Sequence, residues 1–175
     1  HLLEYDDVMN KQREVIYDQR LHILEGENLK DVMLGYIDDY VAEVVTNAVD
    51  TTRHPEEWDL TVPAGDLELA LLTPFPVKEL EGQRIELPLV IEHFQKLARA
   101  GYERKEAGLP EGLMREVERR VAMSVIDEQW RDHLHEIDLV KEGIGLRAWG
   151  QKDPLLEYKK EAFNTFAAMN ERIKE

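Results

Sequence analysis

Three places in this sequence bring together side chains able to do chemistry. The first is Gly143-Ile144-Gly145-Leu146-Arg147-Ala148-Trp149-Gly150-Gln151-Lys152-Asp153-Pro154, which interrupts two helical stretches. Its three glycines let a chain leaving one helix reverse, and Asp153 followed by Pro154 has the chemistry of a helix start. A helical hairpin is expected, with a tip loop at about 143–153 carrying Leu146, Arg147, Trp149 and Lys152. An indole and two cations on a stiff projection suit contact with another molecule, or the ring folds back over the hairpin's own ends. The second place is Asp132-His133-Leu134-His135. A two-residue spacing sets the histidines on different sides of a helix, and a carboxylate–histidine metal bundle needs a second such pair, which is missing. The third is the acidic group Glu4, Asp6 and Asp7, which reads as a solvated helix face or a seat for a cation or basic partner.

No phosphate loop, dinucleotide fingerprint or nucleophile–histidine–carboxylate arrangement is legible. The 175 residues hold 37 acidic and 22 basic side chains, a net charge of −15, which argues against a nucleic-acid binder. Cysteine is absent, so disulfides and thiolate metal sites are excluded. No run of about twenty apolar residues is present to span a bilayer alone.

The elements that must position these groups are helical, and the fold class is all-α. Periodic apolar positions predict helices over about 1–25, 28–50, 89–107, 111–142 and from 154 almost to the end. The proline-punctuated stretch 51–88 should hold short helices near Pro55–Trp58 and Asp66–Leu72. Val8, Ile16, Leu134, Ile137, Phe163 and Phe166 are expected to share a core. The 111–142 helix, with a stripe of Met114, Val117, Val121, Val125, Trp130, Leu134, Ile137 and Val140, is expected to bridge two substructures. Periodicity starts at His1 and is still running near Glu175, as expected for a piece of a longer chain.

Two motifs resemble one family. Leu3-Glu4-Tyr5-Asp6-Asp7-Val8-Met9-Asn10-Lys11-Gln12-Arg13, with Ile16-Tyr17 and Gln19-Arg20, is similar to the central scaffold helix of SecA, the bacterial preprotein translocase ATPase family. Asp127-Glu128-Gln129-Trp130-Arg131-Asp132-His133-Leu134, Ile137-Asp138 and the 143–154 segment resemble its two-helix finger, and Glu157-Tyr158-Lys159 and Phe163 with Phe166 continue the resemblance. The resemblance implies a scaffold helix over 1–28, a helical wing domain over 29–111, and scaffold with finger over 112–175. It implies a non-catalytic part of a motor that drives unfolded preproteins through the SecY channel. ATP and Mg would be bound elsewhere in the parent, with no cofactor or metal here. Leu146, Arg147, Ala148, Trp149, Gln151 and Lys152 would meet the polypeptide or channel at the finger tip. Trp149 stands where many family members have tyrosine. Glu4, Tyr5, Asp6, Asp7, Asn10 and Arg13 would make scaffold contacts to the nucleotide-binding and preprotein-binding domains. The hairpin would restrain the resting ATPase. The parent would work on the cytoplasmic face of the inner membrane, peripherally through the channel, with homodimers among the states the resemblance allows. Two other classes stay open: an adaptor module docking on a fixed protein partner, and a carboxylate–metal bundle enzyme.

Overall fold

Helical periodicity becomes helix along most of the chain. The computed structural model describes residues 2–26, 28–80, 85–147 and 153–175. Six α-helices run through them, α1 (Leu2–Glu25), α2 (Leu29–Ala48), α3 (Thr61–Leu71), α4 (Leu87–Ala107), α5 (Leu113–Arg147) and α6 (Pro154–Lys174), and no strand occurs among the described residues. The chain divides into two compact units: a discontinuous one of residues 1–29 with 115–175, and an inserted one of residues 30–114.

In the discontinuous unit, α1 buries a narrow stripe of Met9, Gln12, Ile16 and Ile23. It ends at Gly26, whose φ of +71° is left-handed and whose N–H returns to the His22 carbonyl at 3.3 Å. A side chain there would also run into the Arg119 guanidinium, which donates to the Ile23 carbonyl at 3.3 Å. At the start of α6, Asp153 Oδ1 accepts from Leu155 N at 3.0 Å and Pro154 occupies the first turn. The core joins Met9, Ile137, Ile144, Tyr158 and Ala162, with Val8 and Leu134 partly buried against it.

Several expectations need correction. The helix does not stop near Glu142: α5 runs through Gly143 and Gly145 to Arg147. Ile144 is the reason, lying one heptad beyond Ile137 and buried in the same core. Burying such a side chain is worth about 1.5–3 kcal/mol, enough to offset about 1 kcal/mol for each helical glycine. Of the proposed 143–153 loop, only 148–152 falls outside the described residues, while 143–147 is helix and Asp153 is the cap. The expected bridge is short: Leu113 and Met114 at the start of α5 belong to the inserted unit and the rest of the helix to the discontinuous one. Phe163 is 69% exposed rather than core, because Tyr158, Ala162 and Met169 define the buried side of α6. Val117 and Val121 are likewise exposed, since the inward side at that level is taken by Glu118 and Ile126.

The inserted unit packs α2, α3 and α4 around Val41, Val45, Leu67, Phe75, Val90 and Phe94. Phe75 meets Phe94 edge to face at 5.6 Å, and its N–H donates to Glu68 Oε1 at 2.8 Å. On α4, Gly101 lies so close to Thr73 that a Cβ would sit 2.9 Å from the threonine's own Cβ. Helix α3 starts at Thr61, earlier than the expected Asp66, because Pro63 falls within the first turn, where its missing N–H costs nothing. Pro88 does the same for α4.

Candidate functional site

Gln12 sits in the middle of α1 with 7% of its surface exposed. A buried amide must find partners, and this one finds two on two other helices. Its Nε2 donates to the Ala162 carbonyl on α6 at 3.0 Å. Its Oε1 lies 2.7 Å from His133 Nε2 on α5. The carbonyl can only accept, so the amide orientation is determined and Oε1 must face the histidine. His133 therefore donates from Nε2, leaving Nδ1 as the unprotonated nitrogen, with no partner among the described residues. The ring is fully buried between Trp130, 5.5 Å away, and Phe166, 5.6 Å away. Burial pushes its pKa below 6.5, opposed next by the charge of Glu136, and Arg172 adds to the fall. His133 is thus a neutral structural donor.

Further polar bonds link the same three helices. Gln19 Nε2 donates to Asn170 Oδ1 at 3.3 Å, joining α1 to α6. Arg20 pairs with Asp127, joining α1 to α5. Arg172 Nε donates to Gln129 Oε1 at 2.9 Å, joining α6 to α5. Three helices are thus held at more than one level along α1, which resists both sliding and rotation.

Towards the start of α1, Tyr5 packs against Tyr158 with ring centroids 4.7 Å apart and planes tilted by 49°, and Lys141 lies over the Tyr158 ring at 5.9 Å. Tyr158 is fully buried and its hydroxyl has no hydrogen-bond partner among the described residues. Burial first, then Asp6, Asp138 and Tyr5, pushes its pKa up to about 12. Beside it a groove of about 460 Å³ runs between α1 and α5. Asp6, Asn10 and Arg13 form one wall, Asp138 and Lys141 the other, and Met9, Leu134 and Ile137 the floor. Opposite charges on both walls make this a polar cleft without a dominant sign.

The residues singled out in the sequence separate into three groups. Asp6, Asn10 and Arg13 come together on the groove, with Arg13 Nη1 donating to Asn10 Oδ1 at 3.1 Å. Tyr5 turns into the core, whereas Glu4 and Asp7 lie on the exposed side of α1. Leu146 is 81% exposed in the last turn of α5, Arg147 ends that helix, and Ala148, Trp149, Gln151 and Lys152 lie outside the described residues. His133 and His135 do part company, one buried and one exposed. No group of three or more His, Asp or Glu side chains able to hold a metal is present among the described residues. Sequence reasoning missed the Gln12–His133 bond. Its signal was a glutamine at an inward position of an apolar stripe, answered by a histidine inside another.

Residues 1–175 match the family described as the SecA Wing and Scaffold domain. The chain belongs to the SecA family. Similar SecA relatives include the protein translocase subunit SecA of Nocardioides sp., 46% identical over 184 aligned positions that cover all of this chain and 19% of that protein. That of Kineococcus radiotolerans is 45% identical over 181 positions, and that of Heliobacterium modesticaldum 42% over 175, each covering all of this chain and 20% of the relative. The chain spans about a fifth of the length of the curated SecA relatives it matches. The Gln12 cross-link therefore lies inside the SecA wing and scaffold region.

Proposed function

We propose that the discontinuous unit is the coupling brace of a SecA preprotein translocase and that residues 30–114 form its wing. The observation that carries this reading is Gln12, which bonds α5 and α6 at once from the centre of α1. A helix transmits displacement because shearing it breaks several backbone bonds together, and a short helix in water needs tertiary packing to stay rigid. With α1 tied to both other helices, movement imposed on α1 by ATP-driven domains elsewhere in the parent reaches the α5–α6 hairpin without loss. The family names of the relatives supply the context of polypeptide translocation. In this reading Arg147, Ala148, Trp149, Gln151 and Lys152, beyond exposed Leu146, touch the unfolded preprotein in the mouth of the SecY channel. Glu4, Asp6, Asp7, Asn10 and Arg13 face the parent's other domains, and the hairpin restrains its resting ATPase. ATP and Mg are handled outside this chain. No described helix is long and apolar enough to cross a membrane, in keeping with association through the channel at the cytoplasmic face.

The test uses the intact parent and channel-containing vesicles. Trp149→Ala should slow ATP-driven movement of an unfolded preprotein while ATP hydrolysis continues. Gln12→Met should raise the ATP consumed per length of polypeptide moved. Unchanged translocation in both variants refutes the coupling role. Phosphate release by the purified 175-residue chain above background would place a nucleotide site in this region and refute the division of labour.

A further inference from the structure

The inserted unit carries an apolar face that its own core does not use. Helix α3 buries Pro63, Ala64 and Leu67 on its inner side. On its outer side Val62, Gly65 and Leu69 follow one another at intervals of three and four residues, and exposed Leu72 caps the helix in the left-handed conformation. At 3.6 residues per turn the three helical positions share an arc of about 60°. Val62 is 52% exposed, Leu69 80% and Leu72 76%. Gly65 has open space where a side chain would stand, so a partner's backbone can approach closely there. The stripe continues for the length of an 11-residue helix, about 16 Å, which seats roughly three turns of another helix. Scattered exposed apolar side chains need no explanation, but Val62 and Leu69 on one side of a helix with Leu72 at its end form a contiguous group that does.

Charge decides what fits. Asp66 runs along one side of the stripe and Glu68 along the other, both exposed. Glu68 is oriented by its bond from Phe75 N. No lysine or arginine occurs in the sequence between Arg53 and Lys78. The basic group seen against the helix, Lys105, is at its far end on the Leu71 carbonyl. The inserted unit as a whole has seventeen Asp and Glu against eight Lys and Arg, a net charge of −9. Such a surface repels an anionic membrane, and a second copy would set acidic rail against acidic rail.

We propose that the outer face of α3 is a docking surface for a basic amphipathic helix of a partner polypeptide. Its apolar side packs on Val62, Leu69 and Leu72, and its flanking lysines or arginines face Asp66 and Glu68.

The experiment titrates the 175-residue chain into a fluorescein-labelled synthetic helix of about five turns, with leucines on one face and lysines on both flanks, read by anisotropy. Binding is expected, and a sibling peptide with glutamates in place of the lysines should bind at least about tenfold more weakly. The combined variant Leu69→Gln, Leu72→Gln should weaken binding by at least about tenfold, and circular dichroism should be unchanged because both side chains are exposed. Asp66→Asn should cost about two- to fivefold at low salt, an effect lost near 0.5 M salt. Equal binding of the two peptides, or a double variant that binds like the parent, overturns the proposal. So does α3-dependent dimerisation in sedimentation velocity, or α3-dependent flotation with anionic vesicles. Strong amide protection of 61–71 in the intact parent without added peptide would assign the face to another segment of that parent and also overturn it.

Discussion

Replacing Gln12 by methionine removes both hydrogen bonds of the central cross-link while keeping nearly the same side-chain volume. The Ala162 carbonyl loses little, because Thr165 Oγ1 also donates to it at 3.2 Å. His133 loses its partner at Nε2 inside a site with no solvent access, and an unsatisfied buried donor costs about 1–3 kcal/mol. The expected destabilisation of the discontinuous unit is therefore about 2 kcal/mol, with little cavity cost. His133→Leu alone leaves Gln12 Oε1 unsatisfied and removes ring contacts to Trp130 and Phe166, for at least the same cost. The double variant has no orphaned partner left, so it should be about 2 kcal/mol more stable than the two losses added together. Amide hydrogen exchange read by mass spectrometry localises the effect. Peptides from 2–25 should exchange on the order of thirtyfold faster in Gln12→Met, while those from 87–107 in the inserted unit stay unchanged. Additive single and double effects, or a change below about 0.5 kcal/mol in Gln12→Met, would refute the assignment of Gln12 as a structural cross-link.

The same histidine predicts a pH response. Its folded pKa is depressed, so as pH falls below 6.5 the unfolded chain takes up a proton that the folded chain refuses. Stability of the discontinuous unit is fully present above that value and should decline as pH falls below about 6.5 towards the depressed folded-state pKa. Urea midpoints across this range should flatten in His133→Leu. Tyr158→Phe should leave stability unchanged or raise it by up to about 1 kcal/mol, because its buried hydroxyl lacks a partner among the described residues. Absorbance at alkaline pH should correspondingly lose the tyrosine that ionises at about 12. Gly101→Ala should destabilise the inserted unit by about 1–3 kcal/mol, since Thr73 is itself buried and must move. Exchange of 87–107 should rise in that variant while 2–25 is unaffected.

Much of the helical framework was legible because its signals are local. Gly26, with its left-handed backbone, and the Asp153–Pro154 pair act on their immediate neighbours, and both ended or began helices where their chemistry required. The groove residues Asp6, Asn10 and Arg13 were marked by family motif, although the sequence could not indicate that Asp138 and Lys141 would face them. Phe163, Val117 and Val121 looked like core and are exposed, for apolar periodicity states which face of a helix could be buried. Whether it is buried depends on a partner at the same height.

By itself the sequence determined the all-helical class, most helix boundaries and the family, because propensity, capping and motif spacing are properties of neighbouring residues. Tertiary structure alone decided that the two glycines after Glu142 stay helical, that Gln12 spans to His133 and Ala162, and that the outer row of α3 remains open. Each of these depends on groups far apart in the chain, where burial and unsatisfied hydrogen bonds outweigh the modest local preferences of glycine, glutamine or leucine.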